Sequence, residues 1–189
     1  MKKILITLFV LFITINMMAQ EHLSFKGIPI EGSMTEFCKK LRDEGFTYIG
    51  KKNNLSCFSG IFTGNEATVG VAATDDGKNV LAVVVLFESS GEWNDLVDTY
   101  DYYKDLYTRK YGTPTISREE NPARRKLNAF LMAALEEGTV VYGSKWEVTG
   151  GEIRLSIEKS SEIYEGVVMI GYRDSQNMEA QTESYLEDI

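Results

Sequence analysis

Residues 80–87 read Val-Leu-Ala-Val-Val-Val-Leu-Phe, an apolar run without a single charge. Its length and its β-branched side chains suit a strand better than a helix. Because odd and even positions are both apolar, this strand needs apolar surroundings on both faces. Upstream, strand patterns alternate with tight turns. Residues 46–50 form a short strand closed by Lys51-Lys52-Asn53-Asn54. Residues 55–62 form the next, ended by Thr63-Gly64-Asn65, and Ala67, Val69, Val71 and Ala73 alternate along a third until Asp75-Asp76-Gly77. Turns this short join antiparallel neighbours, so 80–87 closes an antiparallel meander. Antiparallel sheets usually leave one face polar, and something must therefore cover the second face of 80–87.

Outward from this meander the pattern turns helical. Ser33-Met34-Thr35-Glu36 is a capping box: the serine oxygen caps the helix start and the glutamate reaches back. Met34, Phe37, Cys38 and Leu41 then form one apolar stripe, and Gly45 stops the helix. Before it, Leu23-Ser24-Phe25 is a short strand turned by Gly27-Ile28-Pro29. After the meander, a helix over 93–111 carries the stripe Trp93, Leu96, Val97, Tyr100, Tyr103, Tyr107 and Tyr111. Asp95, Asp98, Asp101 and Asp105 take the opposite side, and Gly112-Thr113-Pro114 ends the helix. Asn121-Pro122 opens a further helix whose apolar face is Leu127, Phe130, Leu131, Ala134 and Leu135. Val140, Tyr142, Trp146 and Val148 alternate as a strand; so do Ile153, Leu155 and Ile157 beyond a Gly150-Gly151 turn. Residues 167–170 are apolar on both faces, and 174–189 read as an acidic polar tail.

The expected fold is α+β: an antiparallel sheet of six to eight strands with three helices mainly on one face, grouped as two helix-plus-meander units. In this element order the chain resembles the tandem helix-plus-meander fold of the beta-lactamase inhibitor proteins. Phe25-Lys26-Gly27-Ile28-Pro29-Ile30 and Lys110-Tyr111-Gly112-Thr113-Pro114 are similar to motifs of uncharacterised small bacterial secreted proteins. The resemblance spans most of the chain after residue 19, as element order, and its motifs carry no chemistry. Fold alone does not confer function.

The first nineteen residues speak to location. Met1-Lys2-Lys3 is a basic start, residues 4–18 are almost wholly apolar, and Ala19 supplies a small residue before Gln20. This is the layout of a signal peptide over 1–19, leaving one domain over 20–173 and the tail. The apolar run falls short of the roughly twenty residues a membrane span needs. No cysteine stands at the cut to take a lipid. The expected product is periplasmic or secreted, without stable membrane insertion.

Composition narrows the chemistry. The formal charge is −8, and losing Lys2 and Lys3 takes it to −10, which repels nucleic-acid phosphates and anionic lipid surfaces. For Cys38 and Cys57, export favours a disulfide closing a loop of about twenty residues, a contribution on the order of 3 kcal/mol. The alternative is two buried free thiols, since both sit on apolar faces. One histidine, His22, reads as a solvated terminal residue. A single histidine leaves no multi-histidine zinc site and no Ser-His-Asp or Cys-His arrangement within the domain. Asp75-Asp76-Gly77-Lys78-Asn79 has calcium-loop composition without the spacing, and a turn explains it. No metal or cofactor is expected.

Recognition residues are easier to nominate than catalytic ones. Tyr102 and Leu106 lie off the apolar stripe of their helix, beside Asp95 and Asp98. They either pack on the following helix or stand as exposed anchors of the kind interfaces use. Arg124-Arg125-Lys126 opposes the macrodipole at a helix start, and is offset by Glu119 and Glu120 upstream, meets the aspartate side of the neighbouring helix, or meets an acidic partner; pairing within the molecule is expected. Trp146 and Tyr142 either belong to the core or mark the sheet face opposite the helices. The first functional expectation is a non-catalytic binding or inhibitory module for a protein or peptide partner outside the cytoplasm. The second is a carrier of a small apolar ligand in a cavity lined by 80–87 and 167–170; a homodimer explains the same strands by association.

Overall fold

A computed structural model describes residues 21–120 and 127–187 of the 189-residue chain. The leader, the Asn121-Pro122 helix start and Arg124-Arg125-Lys126 lie outside the described residues. A small hairpin of β1 (Ser24–Phe25) and β2 (Ile28–Pro29) leads into α1 (Met34–Asp43). The meander follows: β3 (Thr47–Lys52), β4 (Leu55–Phe62), β5 (Asn65–Ala73) and β6 (Val80–Leu86). Next come α2 (Trp93–Tyr111), β7 (Ile116–Glu120), α3 (Asn128–Glu136), β8 (Val141–Val148), β9 (Gly151–Lys159), β10 (Gly166–Asp174) and α4 (Ser175–Glu187). The eight long strands form one antiparallel sheet in the order β3-β4-β5-β6-β10-β9-β8-β7. Two four-strand meanders thus meet through their last strands, β6 and β10.

That junction explains the doubly apolar strands. Across one face the ladder aligns Phe58, Val69, Val85, Ile170, Leu155 and Ser144. A second row runs Val71, Val83, Tyr172, Ile153 and Trp146. All are buried, and α1 and α2 contribute Phe37, Leu41, Leu96, Tyr100, Tyr103 and Tyr107 to the same core. Gly166 lets α2 and α3 settle onto β10: a Cβ there would lie 2.4 Å from Leu96 and 2.8 Å from Leu135. The other face carries Ala82, Val84 and Leu86 of β6 beside Gly171 and Met169 of β10, all half-buried. Strands at the centre of a sheet are flanked by strands on both edges, so their outer side chains are shielded by neighbours as well.

The capping box forms as read: Glu36 N–H donates to Ser33 Oγ at 3.3 Å, and Ser33 N–H donates to Glu36 Oε2. Other expectations are corrected. Both cysteines are free. Cys38 is buried on α1 with its Sγ 3.4 Å from Met34 Sδ, and burial pushes its thiol pKa up. Cys57 alternates with Phe58 and therefore points to the sheet face away from α1, opposite Gly70. The sheet lies between them. Within the 174–189 tail, residues 175–187 form α4, tied down where Asp174, fully buried, accepts from Asn177 N–H at 3.0 Å. β7 is an eighth sheet strand that its polar sequence, Ile-Ser-Arg-Glu-Glu, conceals. In α3, Leu131, Met132, Ala134 and Leu135 are buried, while Leu127 and Phe130 are exposed.

Candidate functional site

One end of the sheet collects the β4–β5 turn, the outflow of β6 and the exposed side of α2. Between them lies an open cleft of about 1020 Å³. Its floor is the hairpin turn, where Thr63 (φ 49°) and Gly64 (φ 88°) both occupy the left-handed region. Two consecutive positive φ values give a hairpin turn whose twist suits the strands, although a β-branched residue adopts one at a cost. Hydrogen bonds hold Thr63 there. Its hydroxyl donates to Phe62 C=O at 2.8 Å, leaving the oxygen to accept from Tyr103 Oη–H at 2.8 Å. Asn65 Nδ2 donates to the same Tyr103 oxygen at 3.0 Å. Burial pushes the Tyr103 hydroxyl above the ordinary tyrosine pKa, and the Thr63 and Asn65 bonds oppose that rise.

Aromatic rings pack this floor. Phe87 lies 4.3 Å from Tyr103, nearly parallel, and Phe62 lies on it at 6.2 Å. Tyr102 meets Tyr103 edge-on at 5.0 Å and projects into the cleft, 48% exposed. Glu66, Glu88 and Asp98 also line the cleft, and its lining among the described residues contains no Lys, Arg or His. Among the described residues none of these three carboxylates has an ion-pair partner. Asp95, one turn before Asp98, is exposed and accepts from Ser90 Oγ at 3.0 Å.

Of the residues nominated from sequence, Asp98 and Tyr102 therefore share the cleft, and Asp95 borders it. Leu106 is half-buried against the core and is no exposed anchor. Trp146 faces the helices: it is 1% exposed, donates from Nε1 to Gly112 C=O at 2.9 Å and packs on Tyr107. Tyr142 also faces them, edge-on to Trp93 and Tyr100. Neither marks the open sheet face, because the ladder parity that aligns Trp146 with Ile153 turns both inward. Thr63, Asn65, Glu66 and Glu88 were not singled out; a turn and two strand ends carry no sign of the helix that will lie across them.

His22 is not solvated either. Its Nδ1 lies 3.1 Å from buried Asp174 and its Nε2 3.8 Å from Glu31, at the opposite end of the sheet from the cleft. Asp76 sits in its turn, accepting from Thr74 Oγ1 at 2.7 Å and Lys78 N–H at 3.0 Å, with the Lys78 ammonium beside it. Those contacts hold its carboxyl well below the ordinary aspartate pKa, the Thr74 bond most. Among the described residues no group of three or more His, Cys, Asp or Glu side chains is placed to hold a metal ion. No described helix is long and apolar enough to cross a membrane. Comparison with protein-family models, curated proteins and solved structures finds no match for this chain.

Proposed function

We propose that the protein is an exported, non-catalytic binding or inhibitory module that recognises a protein or peptide partner, and that it does so at the strand-end cleft. The observation that carries this reading is Tyr102. An aromatic side chain 48% exposed, braced edge-on against a ring that is itself hydrogen-bonded to the sheet, is a preformed anchor. Interfaces concentrate their binding free energy in residues of this kind, held rigid before the partner arrives. Resemblance in element order to the beta-lactamase inhibitor proteins is consistent with the inhibitory form of the proposal.

The carrier reading rests on strands 80–87 and 167–170. Their inner side chains meet rings and aliphatic groups of the core, and their central sheet position accounts for the apolar outer ones. That arrangement favours recognition over carriage.

A photo-crosslinking residue at position 102 tests the proposal, with the same residue at Ser117 on the β7 edge as control. Irradiation in the cell envelope is expected to give an adduct of protein or peptide mass from 102 and none from 117. Tyr102→Ala should weaken binding of the identified partner at least tenfold and change stability by less than about 0.5 kcal/mol. Equal adducts from both positions, or only a small-molecule adduct, would overturn the assignment.

A further inference from the structure

We propose that the partner segment seated in the cleft is cationic and apolar, a Lys/Arg-bearing stretch of protein. It would run from Glu66 and Glu88 along the exposed side of α2 to Ile163 and Tyr164. The inference rests on the recognition reading above and assigns its partner a chemistry.

The strip is continuous. Asp95, Asp98, Thr99 and Tyr102 are spaced i, i+3, i+4 and i+7, so they share one side of α2. At the N-terminal end of that side stands the β9–β10 loop, where Ile163 is 76% and Tyr164 57% exposed. Ser90 joins the two: its backbone pairs with Gly166 in both directions at 2.9 Å, and its hydroxyl donates to Asp95. Tyr164 holds φ at +60°, the left-handed region that a non-glycine residue adopts only at a cost. The loop bonds Ser160 N–H to Glu165 C=O (2.9 Å) and Glu165 N–H to Glu162 C=O (3.3 Å) keep it there. A large aromatic side chain is thus held in solvent at a backbone cost, where an apolar partner surface would cover it.

Charge selects the partner class. Glu66, Glu88 and Asp98 line the cleft with Tyr102, Asp95 lies one turn before Asp98, and residues 158–166 hold three glutamates and the single cation Lys159. Among the described residues these carboxylates have no ion-pair partner, so a partner ammonium or guanidinium is attracted to them and its encounter is steered. Tyr102 and Tyr164 also offer ring faces to such cations. A phosphate-bearing or acidic segment would meet repulsion along the whole strip.

An amide NMR titration of the mature chain tests this with two peptides of about twelve residues, one of Lys and Leu, the other of Glu and Leu. The Lys peptide is expected to give saturable shifts at Glu66, Glu88, Asp98, Tyr102 and Tyr164 that weaken with added salt. The Asp98→Asn, Glu66→Gln double variant should raise its Kd at least tenfold. Glu179→Gln with Glu183→Gln on α4 should leave it unchanged. If both pairs weaken binding equally, or the Glu peptide binds as well, the cationic class is overturned. If the crosslink from position 102 survives the Asp98/Glu66 double variant undiminished, the charge assignment likewise falls while the recognition reading stands.

Discussion

Tyr103 accepts a hydrogen bond from Asn65 and donates one to Thr63, so one hydroxyl fastens α2 to the β4–β5 turn. Tyr102, one residue earlier, has no such bond among the described residues and projects outward; a shift of 100° around the helix separates a structural tyrosine from a candidate anchor. Deeper in the core, burial pushes the pKa values of Tyr100, Tyr107 and Tyr172 far up, and the hydroxyls of Tyr107 and Tyr172 are hydrogen-bonded to each other. A group whose folded pKa is raised keeps its proton when the unfolded chain loses it. Its contribution to stability is therefore complete below the ordinary tyrosine value of 10.0 and is lost as pH rises beyond it. Absorbance at the tyrosinate band follows the ionisation as pH is raised. The buried tyrosines should ionise only together with unfolding, followed by circular dichroism. A smooth titration of all tyrosines with the fold intact would contradict this burial.

Among the elements, α1 was legible and α4 was not, for opposite physical reasons. The start of α1 is written locally, in Ser33, Glu36 and a stripe at helical spacing. Ser33→Ala should cost about 1 kcal/mol. The Ser33 hydroxyl, chiefly, holds the Glu36 pKa below the ordinary 4.5. A depressed carboxylate contributes its stability above that value and loses it as pH falls below, so the gap between wild type and variant in urea melts should narrow in acid. By contrast α4 buries no residue of its own and shows no stripe. It is held by Asp174, which accepts from Leu23 N–H at 2.9 Å and from Asn177 N–H, and by Asn177 Nδ2 donating to Ile30 and Val80 carbonyls. Asp174→Ala leaves two backbone donors without their acceptor, a cost of roughly 1–3 kcal/mol each, and removes the carboxylate beside His22. Amide exchange should quicken through α4 and at Leu23 before it does in the sheet; unchanged protection there would show that other contacts hold the helix. β7 was missed because its residues are all exposed and its strand character comes from pairing with β8.

For the molecule as a whole, the deciding feature is the β6–β10 junction. One core runs under both meanders, from Phe37 and Leu41 of α1 to Trp146 of β8. A single cooperative unfolding transition is the expected consequence. Ile170→Ala, at the junction and fully buried, should lower stability by about 2–5 kcal/mol and move the tryptophan fluorescence and far-UV transitions together. Two separated transitions would show that each meander is a folding unit of its own. The same junction places the cleft, because it fixes where the β6 outflow, the β9–β10 loop and the start of α2 come together.

By itself the sequence determined the local elements: antiparallel strands from alternation and short turns, the α1 cap, the apolar stripe of α2. These depend on periodicity and on hydrogen bonds a few residues apart, which neighbouring side chains specify. Tertiary structure alone decided which side of each strand faces the helices, and so why Cys38 and Cys57 do not meet and why Trp146 is core. It also decided that Tyr102 and Asp98 would face Glu66 and Glu88. Strand pairing between distant segments sets that parity, and a shift of one residue in register would have turned every side chain to the opposite face.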